Sequence, residues 1–455
     1  MRLLILATLW LLLVAVRAGE VEKIVRPKTE KGVVSVHYPD GFDPAKRYSV
    51  LFWFHGTGGR PNPGIGRDHE RFVTVGMSYL KSENVPAGEF GAAHWRECLA
   101  VREQLEANGL RLDRNVVAGM SKGGWMAFYI AAKPRVGLHA VGIFAAGKDP
   151  NLREVPSLEG RGLSVLVGSG ETDPNFPQAQ LAVNVLRKAG AAVFYEEWSG
   201  QGHTYRRDRR VRAWLDVEGM RADPAQLERF CAAAVEEEFE RAMAWRDARD
   251  RYAALRYLAG DPRLREAGEL WRERVREAGR DLSNDPEVKS WLAELNRLRA
   301  LVKREVAFFD RRDFRVPPLE KLVAAYQKLL GEVKHPDLAA RAAHGYQRAA
   351  KMLAIYSAQM KARENPEYQA LMKEYVKLQT EYGEANGDPG EEVMARLKEV
   401  GARLGKLRHE SSMGAFKDAE WGRHDGDTDP AVQAAIEAGV AAGRGKPPVF
   451  SGVGF

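Results

Sequence analysis

The 455-residue sequence has little cysteine, no compact basic run with interleaved aromatic residues, and only one long uncharged stretch, at its start. Lys and Arg exceed Asp and Glu by 69 − 62 = 7. So small an excess over so long a chain does not indicate nucleic-acid binding. A hydrophobic content of 45% with 29% charged residues excludes wholesale disorder and a polytopic membrane protein. The length predicts about two to four folding units, each able to bury a core.

The two cysteines, Cys98 and Cys231, allow a single disulfide in an oxidising compartment. Two unpaired, buried thiols are at least as consistent with the sequence. Their spacing does not support a metal site. Four histidines of the second half also lack metal-ligand spacing: His335, His344, His409 and His424. The sequence therefore gives no indication of a bound metal.

The first 18 residues have the features of an export signal. Arg2 precedes the uncharged stretch 3–16, and residues 16–18 offer small or aliphatic side chains to a signal peptidase. The stretch is short for a membrane-spanning helix, and a single N-terminal anchor or a buried strand is the alternative. We expect residues 1–18 to be a signal peptide and the mature protein to be secreted or periplasmic. No later apolar run is long enough to predict a membrane span in the mature chain.

Up to about residue 219, short β-branched or aromatic runs alternate with amphipathic helical stretches. The runs predict seven strands, at 33–38, 49–55, 72–78, 115–118, 140–145, 163–167 and 192–197. Helices are predicted between several of them, notably at 92–108, 122–132 and 178–189. Strands that alternate with helices of this length predict an α/β fold, with a mainly parallel sheet covered on both faces.

Beyond residue 220 the sequence becomes rich in Ala, Glu, Arg, Lys and Leu at helical spacing. Helix-starting Asp-Pro or Asn-Pro pairs stand at 261–262, 285–286 and 365–366. We expect six or seven helices that form an all-α bundle or a short solenoid, although no steady repeat of ~34 residues supports tetratricopeptide hairpins. The predicted organisation is a signal peptide at 1–18, an α/β domain at 19–219, a helical domain at 220–410 and a Gly-rich, largely irregular tail at 411–455.

Residues 119–123 read Gly-Met-Ser-Lys-Gly and match the pattern Gly-x-Ser-x-Gly. A short apolar strand leads into them and a helical segment leads out. A nucleophile at such a junction has a strained backbone, and small neighbours two residues to either side avoid clashes. The helix N-terminus beside Ser121 favours developing negative charge. We predict that Ser121 is a nucleophile; an ordinary Gly-rich turn is the alternative.

A base and an orienting acid follow Ser121 in the chain, after the last two predicted strands. A serine hydroxyl needs an adjacent imidazole to take its proton, and the imidazole needs a carboxylate to fix its tautomer. His203 is the predicted base, and a surface histidine is the other interpretation of this residue. Asp173 is the predicted acid, Glu171 the runner-up and Asp149 a more distant candidate. The order Ser, Asp, His is that of the α/β-hydrolases.

An oxyanion-binding turn is predicted at residues 55–59, His-Gly-Thr-Gly-Gly, which follow a buried strand. Backbone N–H groups in such a turn, together with the N–H after the nucleophile, bind the oxyanion of a tetrahedral intermediate. Thr57 and Lys122 are the predicted donors. A phosphate-binding turn is the alternative, but the segment lacks the Gly-Lys-Ser/Thr ending of a P-loop.

Four motifs together resemble the secreted esterases grouped with polyhydroxybutyrate depolymerases and feruloyl or acetylxylan esterases. They are residues 55–59, 119–124 (Gly-Met-Ser-Lys-Gly-Gly), 173–175 (Asp-Pro-Asn) and 202–204 (Gly-His-Thr). The resemblance covers roughly residues 30–218. It implies an α/β-hydrolase fold, hydrolysis of carboxylic esters through an acyl-enzyme, and no cofactor. The domain has no obvious inserted lid, which favours a small or exposed ester over an interfacial lipid.

Lys122 departs from this family, in which many relatives carry a smaller or neutral residue. A cation beside the oxyanion hole favours acidic substrates, whereas a side chain that points to solvent, the interpretation we prefer, does not. Three aromatic residues near the motifs are candidates for an acyl pocket, although core packing is their commoner fate: Trp125, Trp198 and Tyr205.

Two other functions stay open. A serine peptidase of the prolyl-oligopeptidase class uses the same ordered triad, but the stretch before residue 48 is too short for the N-terminal propeller that such peptidases usually carry. The second is a non-catalytic scaffold, against which the four intact motifs argue. The expected partners are a small-molecule or polymer-borne ester and, through the helical domain, a protein; no nucleic acid is expected.

Overall fold

A computed structural model describes residues 21–25, 33–80, 89–149, 152, 154–310, 316–384, 390–418, 430–443 and 446 of the protein. The proposed signal peptide lies outside the described residues. The chain divides into two compact units. One is formed by residues 1–306 with 440–455, and the other by residues 307–439. This division falls after Val306, whereas the sequence changes character near residue 220.

The first unit is built on an eight-stranded sheet. In chain order the strands are β1 (Val21–Val25), β2 (Val33–His37), β3 (Arg47–Phe54), β4 (Phe72–Met77), β5 (Arg111–Met120), β6 (Ala140–Phe144), β7 (Ser164–Gly170) and β8 (Ala192–Trp198). Their spatial order is β1-β2-β4-β3-β5-β6-β7-β8. Strand β2 is antiparallel to both neighbours, and the pairs from β4 to β8 are parallel. This is the doubly wound sheet of the α/β-hydrolase fold, and the seven predicted strands are confirmed as β2 to β8.

Both faces of the sheet are covered, as the uninterrupted apolar run in β3 requires. Successive side chains of a strand point to opposite faces. Phe52 and Phe54 therefore pack into one hydrophobic layer, and Leu51 and Trp53 into the other. The first layer is shared with α1 (Phe90–Ala107), α2 (Lys122–Ala131) and α3 (Phe176–Lys188), and the second with α4 (Arg209–Met220). Buried on both sides, the central strands lack the alternation of a half-exposed sheet.

Five helices continue the first unit after α4. They are α5 (Pro224–Met243), α6 (Ala248–Ala259), α7 (Pro262–Glu266), α8 (Glu269–Leu282) and α9 (Pro286–Asp310), whose last four residues belong to the second unit. Met220 of α4 shares a hydrophobic cluster with Cys231 of α5, Leu255 of α6 and Val275 of α8. The helices that follow residue 220 thus pack against the last helix of the α/β part, which is why the contact boundary falls later than the change in composition.

The second unit contains α10 (Val316–Glu332), α11 (Pro336–Glu364), α12 (Pro366–Glu384), α13 (Gly390–Asp418) and most of α14 (Pro430–Gly443), whose last four residues belong to the first unit. The predicted helix starts at 261–262, 285–286 and 365–366 are confirmed by α7, α9 and α12. The prediction of six or seven helices was wrong, because nine helices, α5 to α13, begin between residues 224 and 409 in the described part of the chain. One of them, α7, has only five residues. Asp261 separates it from α6 and caps its start, because the Asp261 carboxylate accepts from the backbone N–H of Arg263.

Part of the tail from residue 411 is helical. Its described residues are helical at 411–418 and 430–443. Alanine is abundant in α14, and its high helix propensity outweighs the cost of the two glycines there. None of the described helices has both the length and the apolar composition needed to cross a bilayer.

Both cysteines are buried, and neither forms a disulfide. Cys98 lies in the hydrophobic layer that α1 shares with the sheet, and Cys231 lies in the cluster around α5. The structure therefore contains two buried thiols rather than a disulfide. Burial raises the pKa of the Cys231 thiol to about 12. At neutral pH this thiol is therefore protonated and a poor nucleophile.

Candidate active site

Ser121 lies at the sharp turn between β5 and α2. Its backbone has φ +55°, a left-handed conformation that is unusual for a residue other than glycine. The turn needs glycine on both sides. A Cβ at Gly119 would overlap the backbone of Gly123, and a Cβ at Gly123 would overlap the carbonyl group of Phe54. The close approach of β3 to this turn therefore explains the Gly-x-Ser-x-Gly spacing in steric terms.

Gly123→Ala is expected to destabilise the fold by about 3 kcal/mol or more, because the new methyl group meets the β3 backbone and neither segment can move without disrupting the sheet. Equilibrium unfolding in urea measures the change. Gly279→Ala is the matched control. An added Cβ there has no atom within 4 Å, so a gain of about 0.5–1 kcal/mol from helix propensity is expected. Equal stability of the two variants would contradict this account of the turn.

The structure brings Ser121, His203 and Asp173 into one hydrogen-bonded chain. His203 Nε2 lies 2.8 Å from Ser121 Oγ, and His203 Nδ1 lies 3.1 Å from Asp173 Oδ1. A carboxylate only accepts hydrogen bonds, so Nδ1 carries the proton and Nε2 is left to accept from the serine hydroxyl. Asp173 is fully buried, whereas Ser121 and His203 are partly exposed. The hydroxyl therefore stays accessible from solvent while its orienting carboxylate is shielded.

The fold explains how residues that are distant in sequence meet. Ser121 follows β5, Asp173 follows β7 and His203 follows β8. These strands are parallel and lie within four positions of one another in the sheet, so their carboxyl ends open on the same edge. Ligands and reactive groups collect at that edge in doubly wound folds.

The two alternative acids have other partners. The carboxylate of Glu171 accepts from Ser199 Oγ at 3.1 Å and from the backbone N–H of Gly200 at 3.3 Å. Asp149 accepts from the hydroxyl of Tyr129. Of the three carboxylates considered, it is Asp173 that the structure places against the imidazole.

Sequence reasoning missed the bonds that hold the acid loop and the histidine loop together. The backbone N–H of Thr172 and its hydroxyl both donate to the carbonyl of Gln201 at 2.9 Å. With Glu171 bound to residues 199 and 200, each loop supports the other just before Asp173 and His203. The sequence carries one signal of this contact: a Cβ at Gly170 would overlap the carbonyl of Gly202, so only glycine permits the close approach.

The two predicted oxyanion segments both lie beside Ser121. Lys122 is the first residue of α2, where backbone N–H groups lack helical partners. In the other segment, a Cβ built on Gly56 would lie 3.5 Å from the Cβ of Ser121. Residues 56–59 form a tight turn in which the N–H of Gly59 donates to the carbonyl of Gly56 at 3.1 Å, with Thr57 exposed at its tip. The roles of the Thr57 and Lys122 amides stay predictions.

Lys122 neither extends freely into solvent nor pairs with an acid in the described part of the chain. The residue is exposed, and its ammonium group lies 4.2 Å from the centre of the Tyr79 ring. The Tyr79 hydroxyl in turn donates to the carbonyl of His55, and burial raises the pKa of this hydroxyl above its ordinary value. Tyr79 therefore connects Lys122 with the predicted oxyanion turn, a connection that the sequence pattern does not indicate.

Among the three aromatic residues, Trp198 is a core residue. It is buried, stacks on Phe144 with ring centres 6.1 Å apart and donates from its indole N–H to Asp208. Tyr205 is half-buried and packs on Trp53 at 5.0 Å. Trp125 is half-buried against the layer that contains α1 and α2. Within the described residues, no group of three or more His, Cys, Asp or Glu side chains is placed to hold a metal ion.

The strand order and this arrangement at the carboxyl ends of β5, β7 and β8 define a protein of the α/β-hydrolase fold class. No protein-family model matches the chain, and no curated protein does. Solved structures similar to it include a mutant feruloyl esterase module from Clostridium thermocellum complexed with sinapinate (14% identity, 41% of this chain and 82% of that chain, TM-score 0.34). Two others are structures of esterase 2 of Thermogutta terrifontis. The native form is 18% identical over 41% of this chain and 83% of that chain, with a TM-score of 0.31. The form phosphoramylated by tabun is 19% identical over 41% of this chain and 84% of that chain, with a TM-score of 0.32. These likenesses are too distant to bear on the reaction, which is inferred from the site itself.

Proposed function

We propose that the protein is an exported serine hydrolase that cleaves carboxylic esters through a covalent acyl-enzyme. The observation that carries the proposal is the continuous chain of hydrogen bonds from Ser121 through His203 to the buried Asp173. A serine hydroxyl does not ionise at neutral pH, so it becomes a nucleophile only when a positioned base takes its proton. In this site His203 Nε2 is that base.

In the proposed reaction, Ser121 Oγ attacks the ester carbonyl carbon while its proton passes to His203 Nε2. The carbonyl π electrons move onto oxygen and give a tetrahedral oxyanion. The intermediate collapses when the bond to the leaving alkoxide breaks, and His203 donates its proton to that oxygen. Water, deprotonated by His203, then attacks the acyl-enzyme, and collapse of the second intermediate releases the carboxylic acid and restores the proton to Ser121.

Asp173 acts through the imidazole. Its carboxylate holds the proton on Nδ1, which keeps Nε2 free to accept, and it stabilises the imidazolium that forms during each half-reaction. Burial strengthens this interaction because little water competes for the carboxylate.

The oxyanion is proposed to be held by the backbone N–H groups of Thr57 and Lys122. Fixed donors at a helix N-terminus stabilise charge that appears only in the intermediate, and they need no reorganisation when it forms. This chemistry requires no cofactor.

The substrate class follows from the resemblance of the four motifs to feruloyl, acetylxylan and polyhydroxybutyrate esterases. We propose a small or polymer-borne ester as the substrate. Ser121 and His203 are partly exposed, which supports access by an ester that projects from a larger molecule. Export is proposed from the N-terminal sequence, with removal of residues 1–18 and release to the periplasm or the medium.

Labelling of one sample with a fluorophosphonate probe, and assays of an untreated sample with p-nitrophenyl esters and aminoacyl-anilides, test the proposal. We expect stoichiometric labelling of Ser121 and faster turnover of the esters. Faster turnover of the anilides would instead identify a serine peptidase. An unlabelled Ser121 in folded protein would favour the non-catalytic scaffold and refute the mechanism.

A further inference from the structure

A second cleft lies at the opposite end of β8 from the candidate active site. It has a volume of about 590 Å³ and is formed by the start of β8 together with α6, α7 and α8. None of its lining residues belongs to the candidate active site. The cleft meets β8 at Val193, and the strand then runs roughly 16 Å to Trp198, beyond which the loop that carries His203 begins. A cleft of this size is within the usual range for small-molecule sites.

The wall of the cleft is apolar. Val193 and Phe194 of β8 line it on one side, and Leu255 of α6 and Val275 of α8 line it on the other. Beside them, Gly279 of α8 leaves open space, since an added Cβ would meet no atom within 4 Å. A ligand with an apolar body therefore has a surface against which to pack.

The remaining lining is strongly cationic. Six arginines line the cleft: Arg187, Arg256, Arg265, Arg272, Arg276 and Arg280. The one carboxylate in the lining, Asp261, is already bound by Arg263, whose Nη2 lies 2.7 Å from Asp261 Oδ2. The positive charge of the rim is thus not neutralised from within the cleft.

Glu266 of α7 and Glu269 of α8 offset part of this positive charge, and Glu266 lies 4.0 Å from Arg265. Arg272 pairs with Glu269 at 2.5 Å, and Arg276 approaches the same carboxylate at 3.9 Å. Neither Arg256 nor Arg280 has an ion-pair partner among the described residues. Arg256 is half-buried, so its unpaired charge is held partly out of water and gains more from an anion than a fully exposed arginine would.

Arg187 supports the same conclusion at the β8 side. Its Nη2 donates to the carbonyl of Val193 at 3.1 Å, which fixes the guanidinium beside the apolar wall. Burial lowers the pKa of Arg187 because its charged form has lost part of its hydration. An anion beside the guanidinium would stabilise that charged form. A guanidinium presents paired N–H donors that match the two oxygens of a carboxylate.

We propose that this arginine cleft binds an organic anion with an apolar body, of the aryl- or alkyl-carboxylate class. An inorganic anion would satisfy the arginines but leave the apolar wall in water. A neutral hydrophobic ligand would cover the wall but leave Arg256 and Arg280 without an anion. The proposal does not depend on the reaction at Ser121.

Calorimetric titration of the full chain with naphthalene-2-carboxylate tests the proposal. We expect a single saturable site at the cleft, and binding at least tenfold weaker for the neutral isostere 2-naphthalenemethanol. The double variant Arg256→Gln/Arg280→Gln should lose at least tenfold in affinity. Arg229→Gln, which removes an exposed arginine of α5 outside the cleft, should bind like the unmodified protein.

Gly279→Phe is a second, independent variant because it fills the cleft without removing charge. We expect it to abolish binding while the thermal transition followed by circular dichroism is retained. Repeating the titrations after fluorophosphonate treatment separates cleft binding from binding at Ser121. Absence of saturable binding, or equal affinity of Gly279→Phe and the unmodified protein, would overturn the proposal. Neither result would affect the labelling of Ser121.

Discussion

Ser121→Ala is expected to lower kcat for a p-nitrophenyl ester by about 10⁴- to 10⁶-fold with little change in KM. The substitution removes the attacking oxygen but leaves the substrate contacts and the backbone of the turn in place. What activity remains comes from positioning and the oxyanion donors acting on a water molecule. Steady-state kinetics with active-site titration of the unmodified enzyme measures the ratio.

Ser157→Ala is the matched control for this change. Ser157 is exposed, and its hydroxyl accepts only weakly from the backbone N–H of Glu159, at 3.3 Å. Its loss should leave kcat unchanged. If Ser121→Ala kept ester turnover within about tenfold of the unmodified protein, the nucleophile would be another group and the proposed function would fail at its first step.

The sheet was predictable because its central strands are buried on both faces. Burial of both faces requires an apolar run such as residues 50–54, and no helix-period pattern competes with so short a run. The turn at Ser121 was predictable for a steric reason. Glycine is required at 119 and 123 by backbone contacts that any nucleophile turn of this kind makes, so the requirement is visible in the sequence.

The choice between Asp173 and Glu171 was less accessible to sequence reasoning. Both follow β7 and are two residues apart, so spacing alone does not decide which one faces the imidazole. The decision is made by a turn in which the N–H of Asp173 donates to the carbonyl of Gly170 at 3.2 Å. That turn directs Glu171 toward residues 199–200 and Asp173 toward His203, and it depends on contacts between two loops that are 30 residues apart.

The extent of the first unit could not be predicted from the sequence, for a similar reason. Arg210 of α4 is fully buried and donates to the carbonyl of Tyr195 in β8 and to that of Tyr257 in α6, both at 2.5 Å. It also lies 3.4 Å from Glu196, a carboxyl whose pKa is raised by burial. One side chain thus joins the last strand to a helix beyond residue 220. Composition changes at that point of the sequence, but a buried long-range contact leaves no periodic signal.

Asp173→Asn is expected to lower kcat by about 10⁴-fold. The new side chain is nearly the same size, and Ser121 and His203 are unchanged, so the loss comes from removal of the negative charge. The carboxylate oxygen that accepts from His203 Nδ1 also accepts from the backbone N–H of Asn175 at 2.8 Å. Asparagine can still accept that backbone bond with its carbonyl oxygen. The same oxygen can also accept from His203 Nδ1, but the amide carries no negative charge, so the imidazolium that forms when His203 takes the Ser121 proton loses its stabilisation.

Glu171→Gln separates this effect from simple weakening of the loop. Glutamine keeps an acceptor oxygen for Ser199 Oγ and for the N–H of Gly200, so a loss in kcat within about tenfold is expected together with a small decrease in the melting temperature. Fluorophosphonate labelling rates should fall steeply for Asp173→Asn and only slightly for Glu171→Gln, because labelling also needs a deprotonated serine. If the two variants lost activity equally, or if Glu171→Gln lost more, the orienting acid would be Glu171. The hydrogen bond between His203 and Asp173 would then be a feature of the resting site rather than of the reaction.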